Sequence, residues 1–296
     1  MYYLIFNPAA GAGRSRKALE IVERILKENH KEYIIKTTEY REHATVLARE
    51  AVGKGYEGII SVGGDGTLHE VACGLQDTDE IMGVIPAGTG NDFRDAIGIS
   101  SDPAEAMNVI LAGHSRSTDI GLISNGKSFI NVAGTGFDVC VLKNTNKVRR
   151  VFTGGVAYLL GIIMSLLGYK SIDIDITMDG RHMKRTVLLI AVANGTCFGG
   201  GLRISPDSDV EDRLFNVIIL NKIARPRILF ELPKLKKGRL DRISIAEQHK
   251  CREITVSCET NQALEVDGEI AGETPVTFTI KPRALRVFCP EKPTIC

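Results

Sequence analysis

The run Ser61-Val-Gly-Gly-Asp-Gly-Thr-Leu-His-Glu70 decides how this chain is read. It follows the apolar stretch Gly58-Ile59-Ile60 and leads into a helix-like stretch, Val71 to Leu75. Glycines at 63, 64 and 66 leave the backbone bare where strand turns into helix. Such a turn brings several N–H groups close to a phosphate. Asp65 sits inside it, where a carboxylate repels phosphate unless a cation lies between them. The run therefore reads as a phosphate loop with a Mg²⁺-associated acid, suited to phosphoryl transfer. The plainer reading is a tight turn in which Asp65 caps the helix.

Outward from this turn, the first third of the chain alternates strand and helix. Tyr2 to Phe6, Tyr33 to Thr38, Gly58 to Val62 and Met82 to Ile85 read as strands. Helices fall between them at Ser15 to Asn29, where Ala18, Val22, Ile25 and Leu26 share a face, at His43 to Gly53 and at Thr67 to Leu75. Asp102-Pro103 opens a further helix, with Asp as cap and Pro in the first turn. This order predicts a mostly parallel sheet whose ligands bind at the carboxyl ends of the strands. Three glycine-rich loops fall at that edge: Asn7 to Gly13, Gly63 to Thr67, and Pro86-Ala-Gly-Thr-Gly-Asn-Asp92. Three loops at one sheet edge carry more weight than any one of them. Alone, the first is neither a dinucleotide fingerprint, because Arg16 stands at the third glycine position, nor a P-loop, because no Gly-Lys-Ser/Thr follows. Thr89 and Asn91 of the third offer groups for a nucleotide phosphate or ribose. Asn91 or Asp92 equally serves to cap a helix from Phe93.

After about residue 120 the pattern changes to period two. Ile172, Ile174, Ile176 and Met178 alternate with polar residues up to a hairpin turn at Asp179-Gly180. Thr186 to Ala193, Leu214 to Leu220, Glu253 to Cys258, Ala263 to Val266, Val276 to Ile280 and Arg286 to Phe288 also read as strands. The expected architecture is α/β plus all-β: a parallel-sheet nucleotide domain over 1–122 and an antiparallel β-sandwich over 123–296, with the active site in the cleft between them.

The 296 residues are 44% apolar and 25% charged, a globular composition, and the net charge of +1 gives no reason to expect nucleic acid. Seven cysteines without a Cys-x-x-Cys pair suit a reducing cytoplasm better than disulfides or zinc. Met1-Tyr-Tyr-Leu-Ile-Phe enters a strand at once, without an export signal. Val151 to Tyr169 carries no charge, but glycines interrupt it and its length is near the lower limit of about 17 residues for a membrane span. It is expected as a buried or membrane-facing helix. Lys143, Lys147, Arg149, Arg150 and Lys170 flank it, and residues 222 to 252 are rich in Lys and Arg. Basic residues beside exposed apolar surface suit an anionic membrane.

Two further motifs are ambiguous from the residues alone. Asp209 and Asp212, three apart before the strand at Leu214, are spaced to reach one hard cation, or they form a plain acidic turn. Asp267 and Glu269 lie at an Asp-Gly turn, which serves either as a hairpin or to place a proton acceptor at a loop tip.

Taken together, Asn7-Pro-Ala-Ala-Gly-Ala-Gly, Gly63-Gly-Asp-Gly-Thr-Leu-His-Glu, Pro86-Ala-Gly-Thr-Gly-Asn-Asp-Phe93, Pro206-Asp-Ser-Asp-Val-Glu-Asp212 and Val266-Asp-Gly-Glu269 resemble the diacylglycerol kinase catalytic-domain family. That family includes bacterial lipid kinases and is related to sphingosine and ceramide kinases. The motifs stand in family order over nearly the whole chain. The resemblance implies ATP-dependent phosphorylation of a lipid alcohol, diacylglycerol first. By the same resemblance Asn7, Pro8, Ala9, Ala10 and Gly11 form the first nucleotide loop, and Thr38 is a nucleotide-contacting threonine. Gly64, Asp65, Gly66, Thr67, Leu68, His69, Glu70 and Thr89 bind phosphate. Asp209, Asp212 and the carbonyl of Leu214 hold a structural Mg²⁺. Glu269 is the proton acceptor, with Asp267 as helper or rival and Asp65 as the acid near the metal. Two positions depart from the pattern. His69 replaces a common Asn, and Arg213 replaces a glycine where a left-handed backbone would strain Arg. Expected partners are the lipid alcohol, an anionic membrane met peripherally from the cytoplasm and a second copy in a homodimer, with no nucleic acid. An NAD kinase, which shares Gly-Gly-Asp-Gly, and a nucleotide-binding lipid sensor without catalysis remain as other readings.

Overall fold

The computed structural model describes residues 1–148 and 154–291. Arg149, Arg150 and the start of the apolar segment at Val151 lie outside the described residues, as does Cys296. The chain forms two compact units. One is Met1–Ile120 together with the segment that begins at Pro282, and the other is Gly121–Lys281. The single boundary expected at 122/123 thus becomes two crossings, because the C-terminal segment returns to the first unit.

In the first unit, β1 (Tyr2–Phe6), α1 (Arg14–Glu28), β2 (Tyr33–Thr37), α2 (His43–Ala51), β3 (Gly58–Gly63), α3 (Asp65–Leu75), β4 (Ile81–Pro86), α4 (Phe93–Ile97) and α5 (Pro103–Ala112) follow in order. The strands pair in parallel in the order β2-β1-β3-β4. Parallel strands put their following loops at one edge, as the alternation of strand and helix predicts. All of β1 and β3 is buried, which matches their unbroken apolar character and helices on both faces. Helix α1 buries Ala18, Val22, Ile25 and Leu26. Helix α5 starts where Asp102 accepts the Ala104 N–H at 2.8 Å and stops at Gly113, whose φ of 79° few other residues adopt without strain.

The second unit carries β5 (Ser115–Ile123), which begins in the first unit, then β6 (Ser128–Phe129), β7 (Val132–Gly136), α6 (Phe137–Val148), α7 (Gly154–Gly168), β8 (Ile172–Met178), β9 (Arg181–Ala193), β10 (Phe215–Asn221), α8 (Arg225–Lys236), β11 (Ala246–Cys251), β12 (Glu253–Cys258), β13 (Ala263–Val266), β14 (Glu269–Glu273) and β15 (Val276–Phe288). Pairing within it is antiparallel, with β8 and β9 forming the hairpin expected around Asp179-Gly180. One face of this sheet packs around Phe129, Phe215 and Phe278, whose rings lie 5.5 and 6.0 Å from Phe129. The other packs under α6, α7 and α8. The two strands expected at Val276 to Ile280 and Arg286 to Phe288 are one strand. Thr277 to Thr279 pair with β12, whereas Arg286 and Val287 pair with β4 of the first unit's sheet.

Candidate active site

The three glycine-rich loops of the first unit touch backbone to backbone. A Cβ placed on Gly88 would lie 2.4 Å from the Gly64 Cα, and one on Gly11 would lie 2.0 Å from the Ala87 carbonyl oxygen. Glycine is required at these places because the loops leave no room for a side chain. Side chains then clasp the loops. Asn7 donates from Nδ2 to Thr67 Oγ1 at 2.8 Å. Both Asp65 oxygens accept backbone N–H groups of the third loop, Oδ2 from Asn91 and Oδ1 from Asp92, each at 2.7 Å. Arg14 donates to the Gly11 carbonyl and to Thr89 Oγ1, both at 3.0 Å, and so joins the first loop to the third. Sequence reasoning missed Arg14, since nothing in a loop residue's identity points to a partner 75 positions away.

Helix α3 begins at Asp65, and its first backbone bond runs from Leu68 N–H to Gly64 C=O at 3.0 Å. The N–H groups of its first turn therefore precede the helical ladder, the arrangement that suits a phosphate. The other expected phosphate residues separate by role. Leu68 is buried core. His69 contacts Cys73 one turn on, at 3.4 Å. Glu70 turns away and accepts the N–H groups of Glu42 and Ala44 at 2.9 and 3.1 Å, which caps α2. Thr38 follows β2 directly, its N–H on the Phe6 carbonyl at 2.8 Å, and so lies beside the end of β1.

In the second unit, Asp267 and Gly268 form the two-residue turn between β13 and β14, with φ of 47° and 85°. The Asp267 carboxylate accepts the N–H groups of Ile130, Asn131 and Val132 at 2.9 to 3.1 Å. This fixes the hairpin to the start of β7. Glu269 is exposed at the first position of β14. The hairpin reading and the proton-acceptor reading are thus compatible, with Asp267 as the anchor and Glu269 as the group facing solvent.

The acidic loop closes on itself and on Lys250. Asp209 Oδ1 accepts the Glu211 N–H at 3.0 Å. Asp212 Oδ1 accepts the Leu214 N–H at 3.0 Å, and its Oδ2 takes the Lys250 ammonium at 2.8 Å. Arg213 stands at φ 63°, the left-handed backbone that the missing glycine would have relieved. Among the described residues no group of three or more His, Cys, Asp or Glu side chains is arranged to hold a metal. A divalent ion at Asp209, Asp212 and Leu214 would have to displace Lys250 from Asp212.

The second unit also contains an apolar cavity under α6, α7 and α8, with about 560 Å³ of space between its lining atoms, open solvent at its mouth included. Val141, Ile162, Leu189, Phe198, Leu220 and Leu232 are among the residues that line it. Asp138 and Glu231 bring two carboxyl groups to this wall. Asp138 is 7% exposed and its Oδ1 has no hydrogen-bond partner among the described residues. Burial pushes its carboxyl up to about 7. Outside the cavity, α7 exposes Val156, Leu159, Ile163, Met164 and Leu167, and α8 exposes Leu229 and Phe230. Arg225 joins the two helices by donating to the Leu167 carbonyl at 3.0 Å. Lys234 of the expected basic patch is paired with Glu231 at 2.6 Å. No helix among the described residues is long and apolar enough to cross a membrane.

Comparison with known proteins shows the family of the chain. Residues 1–123 match the diacylglycerol kinase catalytic domain, and residues 131–289 match the YegS C-terminal NAD kinase beta sandwich-like domain. Two similar relatives are diacylglycerol kinases of Staphylococcus aureus, from strains bovine RF122 / ET3-1 and MRSA252. Each is 31% identical over 289 residues, covering 97% of this chain and 91% of the relative. The chain belongs to the diacylglycerol kinase family. Solved structures agree in fold. A Bacillus anthracis str. Sterne protein superposes with a TM-score of 0.83 at 24% identity, over 100% of this chain and 96% of its own. A diacylglycerol kinase from the same strain gives 0.74 at 20% identity, over 100% and 98%. As a member of the diacylglycerol kinase family the chain is a kinase, with a nucleotide-type unit and a β-sandwich unit, as the motifs led one to expect.

Proposed function

We propose that this kinase transfers the γ-phosphoryl group of ATP to the hydroxyl of a lipid alcohol, diacylglycerol being the foremost substrate. The observation that carries the reading is the clasped loop edge of the first unit, in a chain whose second unit encloses an apolar cavity. ATP is assigned, with the Mg²⁺ it brings as part of the substrate complex, to the loops at Asn7 to Gly11, Gly64 to Glu70 and Thr89. There the backbone N–H groups at the start of α3 receive phosphate, and Arg14 adds positive charge beside Thr89. One acyl chain is assigned to the cavity lined by Val141, Ile162 and Leu232, whose walls are apolar as such a group requires.

In the step itself the lipid oxygen attacks the γ-phosphorus in line. An O–P bond forms, the bond from γ-phosphorus to the bridging oxygen breaks, and ADP leaves. The hydroxyl proton passes to the Glu269 carboxylate, while Asp267 keeps the hairpin in place. Positioning and neutralisation of charge supply most of the rate.

A bilayer is the assigned source of the lipid. The outward residues of α7 and α8, with Arg225 and Arg227 beside them, suit an interfacial surface. Phe230→Asp is expected to reduce binding to anionic vesicles and leave ATP affinity unchanged. Equal vesicle binding would remove α8 from that surface.

The deciding experiment incubates the protein with labelled ATP and a total lipid extract, with diacylglycerol and NAD in separate reactions. Labelled phosphatidic acid is the expected product. Label in NAD alone would make this an NAD kinase. No transfer to any acceptor, with ATP still bound, would make it a sensor.

A further inference from the structure

An aromatic ring is exposed at the carboxyl edge of β2. Tyr40 lies two residues beyond Thr38 and is 59% exposed. One of its faces is already covered. The His43 imidazole stacks on it with ring centroids 4.3 Å apart and planes inclined by 7°. The imidazole in turn is held, since its Nδ1 accepts the Glu39 N–H at 3.1 Å. The backbone beneath is fixed by Glu70, whose carboxylate takes the N–H groups of Glu42 and Ala44 and whose carbonyl takes the Thr45 hydroxyl. A phenol ring so braced gains nothing for the core, because its exposed area stays in water. The bracing does preserve its orientation. Sheet order puts this shelf on the same edge as the phosphate loops, since β2 neighbours β1 in parallel and Thr38 N–H bonds to Phe6 C=O, next to Asn7.

We infer that the open face of Tyr40 is the stacking platform for the planar base of the nucleotide whose phosphates the neighbouring loops receive. The inference rests on the assignment of ATP to those loops. Aromatic stacking tolerates different bases, because every base offers a π-face. The shelf therefore supplies affinity for a nucleoside triphosphate over a bare polyphosphate, rather than selection of adenine.

The test is calorimetric titration of the full chain, in Mg²⁺, with ATP and with inorganic tripolyphosphate, for wild type, Tyr40→Phe and Tyr40→Ala. Tyr40→Ala should weaken ATP binding by about 5- to 20-fold, the lower part of the range for base–aromatic stacking. Tyr40→Phe should stay within about twofold, since it keeps the ring. Tripolyphosphate affinity should be the same in all three. Unchanged ATP binding by Tyr40→Ala overturns the platform and leaves the ATP site standing. Equal weakening of ATP and tripolyphosphate overturns it too, because it marks Tyr40 as a brace for the loop. A wild type that binds neither overturns the ATP assignment itself.

Discussion

The Asp65 carboxylate and the Asn91 backbone N–H are 26 positions apart in sequence and joined by a 2.7 Å hydrogen bond, with Asp92 beside them on the other oxygen. The acid at the start of α3 thus ties its own glycine-rich loop to the neighbouring one. Asp65→Asn offers one acceptor oxygen where two are used and turns an amide donor toward a backbone donor. Stability should fall by about 1–3 kcal/mol, as for a lost hydrogen bond to a charged group. ATP affinity and turnover should fall with it. A denaturant melt and an ATP titration check this, and wild-type values in both would show the tie to be dispensable.

Asp267 and Glu269 should separate cleanly. Glu269→Gln keeps the side chain's size and removes its ability to accept a proton, so the fold should survive while turnover drops about 10²–10⁴-fold, the usual loss of a general base. Asp267→Asn disturbs a carboxylate that accepts three backbone N–H groups and should cost about 1–3 kcal/mol of stability. Single-turnover phosphoryl transfer, measured beside thermal melts, decides. If Asp267→Asn halts transfer without loss of stability, Asp267 is the base.

Asp138 should make stability depend on pH. Its carboxyl is raised from 3.8 to about 7 by burial, with Cys140 and Tyr169 as its titratable neighbours. The folded chain therefore keeps a proton that the unfolded chain gives up near pH 4, and wild-type stability should fall as pH rises from about 4 to about 7. Asp138→Asn mimics the neutral form. It should match wild type at pH 4 and be the more stable at pH 8, as read by urea melts at both. A constant difference between the two proteins would mean that the carboxyl titrates normally.

The acidic loop invites a test by metal removal. With Lys250 already on Asp212, the wild-type melting temperature should be the same in Mg²⁺ and in EDTA. Lys250→Met should lose up to about 1 kcal/mol, as for a partly exposed ion pair. A wild-type melting temperature that EDTA lowers by several degrees would mean that an ion outcompetes Lys250 for these carboxylates.

The legible parts of this molecule are those that local sequence governs. Alternating apolar runs gave the strands of the first unit, Asp179-Gly180 gave the β8–β9 hairpin, and Asp102-Pro103 with Gly113 bounded α5. The strain at Arg213 was also visible, because a missing glycine reports on backbone conformation. What sequence could not supply were partners far along the chain. Asp267 looks free beside Glu269 until Ile130 to Val132 arrive from more than 130 positions away. Glu70 reads as part of a phosphate motif until α2 packs against it. Lys234 and Lys250 read as membrane or solvent charges until Glu231 and Asp212 take them up. Val276 to Ile280 and Arg286 to Phe288 look like separate strands because the intervening Lys281-Pro-Arg interrupts the apolar pattern.

The return of the chain to its first unit has a consequence for birth on the ribosome. Strand β4 waits for Arg286 and Val287, and Gly58 sits where a side chain would strike the Phe288 ring. The first unit is begun first but completed last, after all of Gly121–Lys281 has been synthesised. Until then the β4 edge at Ile81 and Met82 is an unpaired, apolar template for aggregation. A fragment ending at Ile120 should therefore be poorly soluble. Supplying the missing strand as a separate peptide spanning Pro282 to Pro290 would complete its sheet.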